Sequence, residues 1–175
     1  MPARTLQSCV TRAKAPATAA EAMHSYRTTR RVKHSAARMF DLVADVERYP
    51  EFVPMCESLR VRKRSGESGD IEIIIADMTV AYKIIRESFS SRVTLDRAKL
   101  AILVEYLDGP FSHLENRWRF RPEGENSSEV DFFIAYEFKS KMLGMVMGAL
   151  FDAAFRRFAE AFEKRADQIY REKAI

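Results

Sequence analysis

The sequence predicts an α+β fold: a curved antiparallel sheet of about seven strands wrapped around one long C-terminal helix, with a hydrophobic cavity between them. Three observations predict it. From Glu57 to about Lys139 apolar residues alternate with a period of two, as in strands with one buried and one wet face. No helical stretch interrupts that region, which excludes alternating βαβ units. After Ser140 the period changes, and Phe151, Phe155, Phe158, Phe162 and Ile169 fall close to one helical stripe.

The first strand reads as Ser25–His34. Ser35 suits an N-cap, and it opens a helix over Ala36–Val46 whose apolar face is Met39, Phe40, Leu42, Val43 and Val46. In the run that follows, Pro50 and Pro54 fix φ and deny their predecessors the α region. That run is expected to be a short helical turn ending in a rigid loop. Leu59 and Val61 then alternate with Arg60 and Arg62, and Ser65–Gly69 forms a hairpin turn. Ile71–Tyr82 is apolar on both faces, as in a central strand covered on both sides. Phe89, Ser91, Val93 and Leu95 define the next strand. Asp96–Lys99 turns the chain into Leu100–Leu107, and Asp108-Gly109-Pro110 breaks it again. Leu114, Asn116, Trp118 and Phe120 share one face of the following strand. Val130, Phe132, Ile134, Tyr136 and Phe138 share one face of the last. The final helix, Ser140–Arg171, spans about 48 Å at the usual rise per residue.

Of the 175 residues, 1–24 read as an irregular extension and 25–172 as one domain. Residues 1–22 are rich in Ala, Thr and Arg and lack the apolar stretch of a secretory signal. They read as a short mitochondrial presequence or, preferably, as an extension ahead of a true start at Met23. Without them the net charge falls from +4 to +2, a weak excess for a nucleic-acid binder. Its distribution is more suggestive. Arg27, Arg30, Arg31 and Lys33 form one cluster and Arg60, Arg62, Lys63 and Arg64 another. These are solvated strand edges or a contact surface for anionic lipid or RNA. Neither run is interleaved with aromatics, which argues against a strong RNA site. Cys9 and Cys56 make no CxxC pair, so a disulfide framework or zinc site has little support and a reducing compartment fits. The longest apolar run, Met142–Phe151, has ten residues, and crossing a bilayer takes about 20.

Catalytic chemistry finds little to stand on. His24 precedes the expected first strand, His113 begins a strand on its polar face, and no HxxxH or HExxH spacing occurs. GxSxG, Walker and GxGxxG patterns are also missing. Asp77, Glu105 and Asp131 lie within strands, and Asp77 sits in the most apolar setting. Without a second titratable group nearby in the pattern, none supports a mechanism. The expected role is therefore non-enzymatic binding.

The start of the last helix is unusual. Met142, Leu143, Met145, Val146, Met147, Ala149, Leu150 and Phe151 cover every face, where packing on a sheet needs one stripe. Gly144 and Gly148 share a face and permit close approach. The helix start is either an adaptable Met-rich surface or an end buried under the Tyr49–Met55 loop. Both readings bring loop and helix start together at the cavity mouth. The candidate ligand-binding residues are then Phe40, Phe52, Val53, Met78, Trp118, Phe120, Phe132, Ile134, Tyr136, Phe138, Met142, Met145, Val146 and Leu150.

Several runs carry a family resemblance. They are Tyr26–Val32 with His34-Ser35, Met39–Pro54, Glu87–Val93, Gly109-Pro110-Phe111 with Leu114-Glu115-Asn116, Trp118 and Phe120, and Ala161-Phe162-Glu163 with Arg165-Ala166. Over about Ser25–Tyr170 the chain resembles the coenzyme Q-binding, START-like branch of the polyketide cyclase/dehydrase superfamily. The resemblance implies the helix-grip (START/Bet v-like) fold. It also implies delivery of ubiquinone in support of respiratory electron transfer, with ubiquinone as bound ligand and no other cofactor. Partners would be ubiquinone or a similar prenyl lipid and a transient membrane surface. The location would be cytoplasmic and peripheral to a bacterial inner membrane, or the matrix side of the mitochondrial one. The same branch contains ribosome-association toxins that bind the large subunit and block subunit joining. A ribosomal partner and a homo-oligomer therefore stay open. A cyclase activity rests on the superfamily name alone.

Overall fold

The computed structural model describes residues 23–171. The expectations for residues 1–22 lie outside the described residues. The chain runs β1 (His24–Val32), α1 (Ala36–Ala44), a 3-10 turn (Val46–Glu51), β2 (Cys56–Ser68), β3 (Ile71–Tyr82), β4 (Ile85–Asp96), β5 (Ala101–Asp108), β6 (Phe111–Gly124), β7 (Ser127–Phe138) and α2 (Lys141–Arg171). All seven strands join one antiparallel sheet in the order β1-β7-β6-β5-β4-β3-β2. α1 and the 3-10 turn carry the chain from one sheet edge to the other. α2 then covers the inner face, so the α+β class and the sheet-around-helix plan are as expected.

Local chemistry accounts for the joints. Ser35 caps α1 by accepting the Arg38 N–H at 3.4 Å. α1 ends at Ala44, two residues short of expectation, and Val46 instead opens the 3-10 turn that contains Pro50. Gly109 allows the tight passage from β5 to β6. Its φ is +135°, and a Cβ there would lie 2.7 Å from Phe89 Cβ. β2 carries three register irregularities, between Cys56 and Ser58, Val61 and Lys63, and Gly66 and Ser68. Each bulge bends the edge strand and adds to the sheet's curvature.

Two expectations are corrected. Ile71–Tyr82 is one strand from the edge, not central. Ile74, Ala76 and Val80 enter the core, while Asp77 on the other face accepts the Ser90 hydroxyl at 2.6 Å and pairs with Arg62 at 3.0 Å. Its apolar sequence neighbours had made that carboxylate look stranded. His24 belongs to β1 and does not precede the fold. Its ring stacks on Tyr136 with centroids 5.2 Å apart, and Nδ1 lies 3.7 Å from Asp152.

α2 is tied down unevenly. Its second half is pinned to β1, the β1–α1 connection, α1 and the 3-10 turn by Arg30–Glu163, His34–Asp167, Arg165–Glu51 and a Tyr170 hydroxyl that donates to the Arg38 carbonyl. The first half is held by Tyr136, whose hydroxyl proton is shared between Asp152 at 3.0 Å and the Gly148 carbonyl at 3.2 Å, and by His24 beside that carboxylate.

Candidate functional site

The inner faces of β2 to β7 and one face of α2 enclose a cavity of about 110 Å³. Val46, Tyr49 and Val53 close one side of it. The sheet contributes Met78, Phe89, Val93, Val104, Trp118 and Phe132 among others, and α2 contributes Phe151, Phe155, Phe158 and Phe162. The lining carries no charged side chain. Its polar groups are few. Asn116, 9% exposed, donates Nδ2–H to the Phe133 carbonyl and accepts the Trp118 indole N–H, both at 2.8 Å. The Tyr49 hydroxyl donates to the Val43 carbonyl at 2.6 Å, and burial pushes its ionisation far up. The buried Ser91 also lines the cavity and adds a hydroxyl to its sheet wall. The cavity is therefore an apolar box with a few polar groups on its wall, suited to holding an apolar molecule that has a small polar head.

Of the residues expected to line it, the structure brings together Val53, Met78, Trp118, Phe132 and Ile134. Trp118 packs on Phe132 at 4.6 Å and Phe162 at 5.0 Å. The others stand elsewhere. Phe120 and Phe40 pack edge to face at 6.0 Å under α1, outside the cavity. Tyr136 and Phe138 form a plug with Phe111 and Phe151. Phe111 and Phe138 stack at 4.7 Å, and the Phe138–Phe151 rings meet at 5.4 Å. That plug separates the cavity from the start of α2. Phe52 packs against Tyr49 and Phe162 beneath Arg165 and lines a shallow outer groove. Leu150 is half-buried against the core. Met142, Met145 and Val146 are exposed, Met145 at 83%.

The expected meeting of the Tyr49–Met55 loop with the start of α2 does not occur. Tyr49 and Phe52 lie on Phe162, seventeen residues beyond Met145, or about 26 Å along a helix. The two glycines are filled from within the chain: a Cβ on Gly148 would meet the His24 ring at 3.2 Å, and one on Gly144 would meet Phe138 at 3.8 Å. Sequence reasoning also missed Ser91, Asn116 and the four helix phenylalanines as lining residues. The phenylalanine stripe was the available signal for the last four.

On the opposite, outer face of the sheet, Phe133 lies between two arginines. The Arg27 guanidinium sits 5.0 Å and that of Arg117 5.4 Å from its ring centre, with Arg119 and Asp131 beside them. The run-by-run charge reading could not see this, because the three residues come from three different strands.

The sequence pattern of the family described as polyketide cyclase/dehydrase and lipid transport matches residues 32–163. The chain belongs to this family. Relatives of this polyketide cyclase/dehydrase-family protein carry more than one kind of name. The ribosome association toxin RatA of Vibrio cholerae is 34% identical over 141 residues, covering 81% of this chain and 94% of the toxin. The mitochondrial coenzyme Q-binding protein COQ10 homolog B of Xenopus laevis is 33% identical over 140 residues, covering 78% of this chain and 55% of that protein. The solution structure of an 18 kDa protein of Caulobacter crescentus is 35% identical with a TM-score of 0.70, covering 85% of this chain and 99% of that one. START-superfamily structures share the fold. Among the described residues no helix is long and apolar enough to cross a membrane.

Proposed function

We propose that this protein binds and delivers a water-insoluble molecule with a planar polar head, and that ubiquinone is its ligand. The observation that carries the reading is the cavity itself: an uncharged, largely aromatic box with Ser91 and Asn116 on its sheet wall. At about 110 Å³ it has room for little more than one small ring, whereas drug-sized ligands occupy about 300–1,000 Å³. A prenylquinone therefore requires the cavity to widen. The sheet wall is held by backbone ladders and the helix wall by side-chain packing, so the first half of α2 is the part that gives way. An uncharged lining also lacks the acid–base pair a cyclase would use, which supports binding without catalysis. Trp118 supplies the test. Ubiquinone added to the purified protein should quench its fluorescence saturably and with a stoichiometry near one. Binding demonstrated by another method with Trp118 emission unmoved would take the ligand out of this cavity.

A second reading, ribosome association by docking on the large subunit, is favoured by the names of several relatives and by the Phe133–Arg27–Arg117 arrangement. Aromatic rings and guanidinium planes are what RNA-binding surfaces use. The two basic runs support it less, because Arg30, Arg31, Arg62 and Arg64 are all paired with carboxylates. Sucrose-gradient sedimentation with ribosomal subunits separates the readings. Salt-sensitive co-migration lost in Arg27→Glu and Arg117→Glu, or in Arg60→Glu and Arg62→Glu, would put the ribosome first.

A further inference from the structure

The large apolar side chains that stand exposed among the described residues collect at one end of the sheet. Met23 precedes β1, Tyr82 and Ile84 lie at the β3–β4 hairpin, Leu107 is near the end of β5, and Met142, Met145 and Val146 occupy the first turns of α2. The antiparallel order puts these four segments at the same end of the sheet. β1 starts opposite the end of β7 at His24 and Tyr136, and α2 leaves from the end of β7. β5 ends at Asp108 opposite Ser90, the sixth residue of β4, so the β3–β4 hairpin reaches roughly 17 Å beyond it. The other end, with its turns at Asp70, Arg97–Leu100 and Glu125-Asn126, carries none among the described residues. Scattered exposed apolar residues need no explanation, but a set gathered from four segments onto one end does. Ile84 is 99% exposed at the tip of its hairpin, so no neighbour among the described residues covers it.

The charges between these residues point to the partner. Lys83, Lys139 and Lys141 stand on the same tips together with Arg86, and the carboxylates among them are Asp108, Glu57, which pairs with Arg86, and Glu137, which lines one groove with Lys141 and Met145. The Lys83 ammonium lies 5.5 Å from the centre of the Tyr82 ring and that of Lys139 5.8 Å from the centre of the Tyr106 ring, where it also donates to the Gly109 carbonyl at 2.9 Å. Separate apolar tips with lysines between them suit the bilayer interface, where single side chains enter the acyl region and cations meet headgroup phosphates. A second protein would need one continuous patch.

We propose that this end of the sheet docks on the surface of an anionic lipid bilayer, with Ile84 and Met145 inserting and the three lysines at headgroup level. The proposal rests on the carrier reading, because a water-insoluble ligand must be collected from a membrane. It places on the bilayer the half of α2 that Tyr136 and His24 hold, which is the half that must move for the cavity to widen.

The test is co-sedimentation of the full chain with vesicles of phosphatidylcholine alone and of phosphatidylcholine with phosphatidylglycerol. Wild-type protein should bind the anionic vesicles reversibly and lose binding in high salt. Ile84→Asp and Met145→Asp should each weaken binding about tenfold or more. Their melting temperatures should not change, since both side chains are exposed. The variants should still show Trp118 quenching by ubiquinone added from ethanol. Quenching by wild type without vesicle binding would overturn the docking surface and leave the carrier reading intact. Variant-sensitive vesicle binding without quenching would do the reverse. Variants that bind vesicles as wild type does, or that instead lose co-sedimentation with large ribosomal subunits, would overturn the docking surface.

Discussion

Replacing Asn116 by alanine should destabilise the protein by about 2–4 kcal/mol, because it orphans two buried groups at once. The side chain donates to the Phe133 carbonyl and accepts from the Trp118 indole, each at 2.8 Å, and Trp118 is only 4% exposed. Each orphaned group costs about 1–3 kcal/mol, and the lower part of that range applies where a cavity water can reach one of them. For a chain of this size the melting temperature should fall by roughly 10 °C. Urea unfolding measures the loss directly, provided the slope with denaturant is unchanged. Trp118→Phe supplies a second arm by removing the indole N–H. In that background Asn116→Ala should cost about 1 kcal/mol less than in wild type. A cost below about 0.5 kcal/mol, or strictly additive effects of the two changes, would refute the Asn116–Trp118 pairing and with it the polar wall of the cavity.

Other substitutions test other parts of the fold. Gly109→Ala should destabilise by about 2 kcal/mol or more, since φ is +135° and the new methyl would clash with Phe89; a neutral effect by thermal melting would contradict that turn. Phe162→Ala should cost about 3–5 kcal/mol and enlarge the cavity, which xenon or benzene binding would register; a smaller loss with no new binding would mean that the ring does not wall the cavity. Burial pushes the Cys56 thiol up to about 11, so the folded state holds its proton more tightly than the unfolded chain does. That stabilisation is complete below the ordinary thiol value of about 8.5 and is lost as pH rises through about 11. In a Cys9→Ser background, Cys56 of the folded protein should react slowly with a thiol reagent near neutral pH; fast modification without unfolding would contradict its burial.

The elements that could be read from the sequence were those whose periodicity is local. Leu114, Asn116, Trp118 and Phe120 all face inward on β6, as do Val130, Phe132, Ile134, Tyr136 and Phe138 on β7, because side chains alternate along a strand whatever it pairs with. The Ser35 cap and the α2 stripe were legible for the same reason. Where along the sheet α2 makes its crossing was not. One inward row on β7 therefore divides into Phe132 and Ile134, which line the cavity, and Tyr136 and Phe138, which plug its end. The contact of Tyr49 and Phe52 with Phe162, and not with Met145, depends on the same crossing. Asp77 and Phe133 teach a second lesson. Their partners, Arg62 and Ser90 for one and Arg27 and Arg117 for the other, come from neighbouring strands that no run of sequence brings together.

The most direct test of the ligand-carrier reading is organic extraction of the purified protein followed by mass spectrometry of the extract. A prenylquinone recovered in near-equimolar amount, and lost when Phe132→Asp charges the cavity wall in a protein that still folds, is the expected result. A lipid-free wild-type protein whose Trp118 emission also ignores added ubiquinone would contradict it.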